Sequence, residues 1–248
     1  MAIHEAAAEG FGRAAAAYEH GRPGYPDEAV EWIATSLGIT RGATVIDLGA
    51  GTGKFSRMLL RTGARVIAVE PVAAMRRELI RAAPGVDVVD GTAQAIPCAD
   101  ASANAVTAAQ SFHWFAGAES IREIHRVLRA GGGLGLIWNR RDQRDPLQAS
   151  IDAIVRLYRG AAPTHEWDRW REAITATPLF GAAGRRQFRH VQVVDADRLV
   201  DRVLSISFIA ALADDQRLAV ADRVRTLARR EARIALPYIT DAFLFRRR

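Results

Sequence analysis

The chain has 248 residues, almost half of them apolar and a quarter charged, the composition of an ordinary globular chain long enough for one well-buried α/β domain. No uninterrupted apolar run approaches the ~20 residues that span a bilayer, and a single cysteine, Cys98, excludes an internal disulfide and any cysteine-cluster metal site. The net charge of +6 is carried by arginine, with Lys54 the one lysine, and the arginines are scattered rather than gathered into an aromatic-interleaved stripe.

Arg76, Arg77, Arg140, Arg141, Arg185, Arg186, Arg229, Arg230 and the closing Arg246 to Arg248 therefore read as solvated surface rather than as a nucleic-acid groove. The N-terminus carries acids early and has no apolar core segment, so no secretory signal is expected and a cytoplasmic location is the default.

Residues 5–19 are alanine-rich and helix-prone, and the prolines and glycines of "GRPGYP" (21–26) force a turn. After Asp27, Val30, Ile33 and Leu37 follow helical spacing, and Gly38 suits the C-cap. From residue 43 short apolar runs alternate with helical ones. "ATVIDLG", "RVIAVEP", "VDVVDG", "ANAVTAAQS" and "GLGLIWN" are strands, while "KFSRMLLRTG", "VAAMRRELIRAA" and "ESIREIHRVLRAGG" are helices with Gly63, Pro84 and the later glycines as stops. Strands alternating with helices imply right-handed βαβ units and a parallel sheet, and strands apolar on both faces imply helices on both sides.

Beyond residue 145 the rhythm changes. A helix-rich insertion (146–177) precedes the strand-like "RRQFRHVQVV", helices around 197–232, and a last strand-like run "RIALPYITDAFLFRR". These late strands suit an antiparallel pair at the sheet edge. The expected fold is α/β, a doubly wound, mostly parallel Rossmann-like sheet of about seven strands. It reads as one domain over 1–248: lid and helices over 1–38, a cofactor core over 39–145, and the insertion with the sheet-completing part over 146–248.

The loop Gly49-Ala50-Gly51-Thr52-Gly53 lies at the first strand–helix junction, the crevice position of an open α/β sheet. Its glycines let backbone N–H groups and a helix N-terminus approach a ligand closely. A phosphate loop would need glycine at Leu48 and Ser or Thr at Phe55, so that reading fails twice. A dinucleotide fingerprint would need glycine at Lys54, although Glu70 stands where its acid belongs. A Tyr-x-x-x-Lys pair is impossible with Lys54 alone, which sets aside a nicotinamide-dependent reductase. Lys54 itself reads as an exposed residue of the first helical turn.

What matches is E/D-x-G-x-G-x-G, over Asp47 to Gly53, with an acid, Glu70, closing the second strand. Together with "YEHGRPGYP", "GTAQAIPCADASANAVTAAQSFHWF" and "EIHRVLRAGGGLGLIWNRRD", this resembles the class I S-adenosylmethionine-dependent methyltransferase family, in the small-molecule branch of the ubiquinone and trans-aconitate enzymes. The resemblance covers residues 10–145 most clearly. It implies S-adenosylmethionine as cofactor and S-adenosylhomocysteine as product, with no metal. It places the backbone of Gly49, Ala50, Gly51 and Gly53 against the methionine portion and Asp47 near the amino group, directly or through water. Glu70 would accept both ribose hydroxyls, a carboxylate having lone pairs enough for two O–H donors, and Pro71 would wall the adenine.

Where many relatives carry an acid in G-D-A-E, this chain has "GTAQ", so adenine recognition passes to the Thr92 hydroxyl, the Ala93 N–H and Gln94. No Asn/Asp-Pro-Pro-aromatic follows the fourth strand, which disfavours planar-nitrogen acceptors and points to a small-molecule acceptor. Gln110 would face the methionine portion, and His113 and Trp114 would edge the substrate cavity. His113 is the candidate general base by its titration range. Tyr18 and Arg22 are lid candidates, Arg22 because a guanidinium suits a carboxylate. Specificity is expected to lie roughly in residues 1–26 and 141–180. The aromatics Trp138, Tyr158, His165, Trp167 and Trp170 read as the core of the extra helices. On sequence alone a non-catalytic S-adenosylmethionine-binding protein of the same fold and an RNA-directed methyltransferase stay open.

Overall fold

The computed structural model describes residues 18–160, 169–228 and 232–248. Most of the alanine-rich N-terminal stretch, His165, Trp167, Arg229 and Arg230 lie outside the described residues. The described chain runs α1 (Asp27–Leu37), β1 (Thr44–Leu48), α2 (Lys54–Leu60), β2 (Arg65–Val69), α3 (Ala73–Ala82), β3 (Asp87–Val89), β4 (Ala103–Ala109), α4 (Ala118–Val127) and β5 (Leu128–Arg141). Then come α5 (Pro146–Arg156), α6 (Arg169–Thr175), β6 (Phe180–Val194), α7 (Ala196–Leu204), α8 (Ser207–Ala210), α9 (Asp214–Ala228) and β7 (Ile234–Arg247).

Among the described residues seven strands form one sheet in the order β3-β2-β1-β4-β5-β7-β6. Neighbours from β3 to β5 run parallel, and β7 runs antiparallel between β5 and β6. The late strands thus complete the edge as the sequence suggests. The chain winds outward from β1 to β3, returns to β4, and then winds the other way. At such a switch point the connections part, and a crevice opens past the C-terminal ends of β1 and β4.

Both faces of the sheet are covered. Ile46 and Leu48 pack on one side with Val106, Trp138, and Ile121 and Ile124 of α4. Val45 turns to the other with Phe55 and Leu59 of α2 and Ile33 and Leu37 of α1. α1 ends where expected, at Gly38 with φ +67°. A third cluster joins α5, α7 and α9 to Leu236 and Tyr238 of β7, building a helical cap against one end of the antiparallel β6–β7 pair.

One boundary differs from the sequence reading. The helix "ESIREIHRVLRAGG" stops at Val127, and β5 already begins at Leu128, three residues before the glycines. Leu128 pairs with Ala103 across β4, and a register shift between Ala103 and Ala105 absorbs the intervening residues, with Gly131 at φ +77°. Sheet pairing here overrides a helical propensity that would have run one turn further.

Candidate active site

A cavity of about 410 Å³ occupies the switch-point crevice. Its floor is the loop after β1, where Gly49, Gly51 and Gly53 sit at φ +66°, +59° and +80°, a region that residues with a Cβ rarely enter. Gly49 also has no room for a side chain, since a Cβ there would lie 2.8 Å from the Ser111 Cβ. The loop is pinned to β2 by Gly49 and Ala50 N–H groups donating to the Val69 carbonyl (2.8 and 3.3 Å).

Glu70, at the end of β2, is 5 % exposed and lines this cavity. One carboxylate oxygen accepts from the Gly51 N–H (2.8 Å) and the other from the Val72 N–H (2.9 Å). A carboxylate offers about four lone-pair sites, so each oxygen keeps one more for a ligand. Burial raises the Glu70 pKa, opposed by the two backbone hydrogen bonds and by Arg76. Arg76 fixes the strand end by donating to the Glu70 carbonyl (2.7 Å) while pairing with Asp90.

Pro71, Val72 and Met75 give one apolar wall. Thr92 and Ala93 sit opposite in a tight reversal in which Thr92 and Ala95 exchange backbone hydrogen bonds (3.4 and 3.2 Å), and Gln94 also lines the cavity. Gln110, just past β4, has φ +61°, a strained backbone costing on the order of 1–3 kcal/mol in a non-glycine residue. It is held there by its N–H to the Ile137 carbonyl (2.9 Å) and its side chain to the Asn139 carbonyl (3.0 Å).

Of the expected cofactor residues, Asp47, Ala50 and Gly53 do not line the cavity. Asp47 is fully buried beneath the loop, and accepts from the Ser56 hydroxyl of α2 (2.6 Å) and the Thr107 hydroxyl of β4 (3.1 Å). Burial pushes its carboxyl up to about 6, against the pull of those hydrogen bonds.

The segment at Tyr18 to Arg22 crosses the loop as a strap. Glu19 accepts from the Thr52 hydroxyl (2.6 Å) and pairs with Arg57 (2.7 Å). Lys54 donates to the Glu19 carbonyl (2.5 Å) and its side chain is only 15 % exposed, so it is not the exposed residue that the sequence suggested. On the other flank the Gln192 amide donates to the Gly21 carbonyl (3.0 Å), and a Cβ at Gly21 would lie 2.4 Å from the Arg202 backbone nitrogen. The Tyr18 ring covers the cavity above Gly51 and carries the Arg22 guanidinium 4.8 Å from its centroid.

A second, smaller chamber of about 140 Å³ shares Tyr18, Gln110 and Trp114 with the first. His113 and Arg22 line this chamber and not the main cavity. The His113 Nδ1 accepts the Trp138 indole N–H (3.2 Å). Indole is a donor only, so the neutral ring carries its proton on Nε2. Arg22 donates to the Ser205 hydroxyl and carbonyl (both 3.1 Å).

Trp138 and Trp170 are core residues, with ring centroids 4.7 Å apart; Tyr158 packs on the helical cap. The sequence reading missed Arg202 and misplaced Arg141, whose side chain is 13 % exposed rather than a surface charge. Arg202 carries a readable signal, because Leu199, Arg202, Val203 and Ile206 fall on one helical stripe.

The family model described as a methyltransferase domain matches residues 46–136. An uncharacterized methyltransferase of Mycobacterium bovis is 36% identical over 236 residues, covering 93% of this chain and 92% of that protein. This chain belongs to the class I S-adenosylmethionine-dependent methyltransferase family. A methyltransferase-like protein of Schizosaccharomyces pombe is 35% identical over 233 residues, covering 91% of each. Among solved structures, a type II methyltransferase assigned in Anaeromyxobacter dehalogenans has the same fold, with a TM-score of 0.63 at 24% identity, covering 92% of this chain and 97% of that one. The methyltransferase's family match spans β1 into β5, which supplies the main cavity's lining apart from Tyr18. No described helix is long and apolar enough to cross a membrane.

Proposed function

We propose that this methyltransferase holds S-adenosylmethionine in the main cavity and a small-molecule acceptor in the second chamber. The observation that carries this is the junction of the two chambers at Tyr18, Gln110 and Trp114. The residues suit the cofactor. Glu70 has a free acceptor site on each oxygen for a pair of ribose hydroxyls, the glycine loop lets a ligand approach bare backbone, and Pro71, Val72 and Met75 offer an apolar face to a flat base. Thr92, Ala93 and Gln94 stand at the far rim to take its polar edge. Asp47 supports the loop from beneath, with Gly53 and Ala50 shaping it.

When bound, the cofactor supplies a methyl group on a positively charged sulfur that departs as a neutral thioether when an acceptor lone pair takes the methyl. The protein's share is alignment and exclusion of water. The strap at Tyr18 covers the junction, Gln110 fixes the wall between the chambers, and the aromatic faces of Tyr18 and Trp114 favour a cation beside them. His113 borders the acceptor; to take a proton on Nδ1 as a general base it must give up the Trp138 hydrogen bond. A chamber of about 140 Å³ supports a compact acceptor over an RNA.

Incubation with methyl-labelled S-adenosylmethionine and a deproteinised small-molecule extract, with bulk RNA in a parallel reaction, tests the reading. Label is expected in a small molecule and to depend on the enzyme. Label in RNA, or none in either, overturns it.

A further inference from the structure

Among the described residues, the second chamber is lined by more positive than negative side chains. Among the arginines that line it are Arg22, Arg141 and Arg202. Arg22 donates to the neutral oxygens of Ser205 and lies over the Tyr18 ring. Arg202 is 5 % exposed; its Nε donates to the Tyr238 hydroxyl (3.2 Å), and its Nη1 is buried with no hydrogen-bond partner. The Arg141 Nη2 is likewise buried and without a partner.

Among the described residues the acid lining this chamber is Asp152, and it is shared. It lies 3.5 Å from Arg141, pairs at 2.5 Å with Arg156, and accepts from the Gln143 amide at 3.1 Å. Arg140 does not add to the excess, since it is neutralised by Asp241 at 2.7 Å. Burial, and then the charge of Arg202, lower the pKa of both Arg22 and Arg141 to about 10, so the three cations feel one another.

Buried like charges with unpaired donors are costly unless a counter-charge reaches them. These arginines come from the strap, the end of β5 and α7. Guanidinium donors in this arrangement match the paired oxygens of a carboxylate or phosphate. The chamber is about a third of the volume of the main cavity, which suits a small acid and not a nucleotide.

Resting on the two-chamber reading above, we infer that the methyl acceptor is a small oxyanion, gripped through its charged group by Arg22, Arg141 and Arg202 in the second chamber. The oxygens held by guanidinium groups have their lone pairs occupied, so this group is the handle and the methylated atom lies toward the Tyr18–Gln110–Trp114 junction. Two sources present the same chemistry here, an acceptor's anion and the cofactor's own carboxylate, and prior filling of the main cavity separates them.

The experiment is titration calorimetry on the full chain saturated with S-adenosylhomocysteine, using succinate, citrate and inorganic phosphate as probes and uncharged succinamide as control. At least one anion is expected to bind in the millimolar range or tighter while succinamide does not. Arg141→Gln and Arg202→Met should each weaken that anion at least tenfold, with S-adenosylhomocysteine affinity unchanged within about twofold as proof of an intact fold. If a variant does not fold, the wild-type comparison of succinate with succinamide decides alone.

Failure of all three anions to bind the wild-type complex overturns the inference and leaves the methyltransferase reading standing. Anions that bind only without S-adenosylhomocysteine, and compete with it, assign the arginines to the cofactor's carboxylate and also overturn it. Failure of S-adenosylhomocysteine itself to bind counts against the two-chamber reading instead.

Discussion

Replacing Glu70 by alanine is expected to weaken S-adenosylhomocysteine binding by about 1–3 kcal/mol, the usual worth of hydrogen bonds to a charged group, or roughly 5- to 150-fold in Kd. The effect is twofold in origin. The ligand loses a charged acceptor, and the loop loses the clamp in which Glu70 takes the Gly51 N–H with one oxygen and the Val72 N–H with the other. Stability should suffer less than affinity, because the carboxylate is buried and its pKa is raised by that burial; alanine removes a charge that the folded state holds at a cost. Glu70→Gln keeps one acceptor oxygen and should fall between wild type and alanine. Calorimetric titration of the three proteins checks this, and equal affinities would mean that Glu70 does not face the ligand.

Asp47 gives the second large effect, in stability as a function of pH. Its carboxyl stands at about 6 in the folded protein against an ordinary 3.8. The folded state therefore binds more protons than the unfolded chain between about pH 4 and pH 6. Stability falls as pH rises through that window and stays lowered above it. A carboxyl held that far above its ordinary value costs the folded state about 3 kcal/mol once ionised, at roughly 1.36 kcal/mol for each tenfold change in proton affinity. In Asp47→Asn the slope should vanish, so the variant gains on wild type from pH 4 to pH 7 by an amount approaching that figure, read as a difference in denaturation midpoints. Other carboxyls titrate in both proteins and cancel in the comparison. Parallel pH profiles would show that Asp47 ionises without penalty, with water reaching it beneath the loop.

How much of this was legible beforehand depends on sequence distance. The β1–loop–α2 unit could be read because its geometry demands glycine at three nearby positions, and Glu70 because the next strand ends at a fixed interval. The antiparallel edge was legible from two late strands with no helix repeat between them. Lys54 was misread because its partner, Glu19, lies 35 residues away on the strap, and no local pattern reports such a contact. Arg141 followed an arginine and preceded an acid, the look of a solvated turn. The closing of α5, α7 and the strap around it makes the site buried. The helix boundary at Leu128 failed for a related reason: "IHRVL" suits a helix, but a strand edge at Ala103 was available to pair with it.

Whether the switch-point cavity is an S-adenosylmethionine site is decided by thermal unfolding in the presence of ligand. S-adenosylhomocysteine at a hundred times its Kd should stabilise the protein by about 2.7 kcal/mol, a rise of roughly 5–10 °C for a chain of this size at ~2–4 °C per kcal/mol, and NADPH should produce none. A response to NADPH, or none to S-adenosylmethionine and S-adenosylhomocysteine, would contradict it.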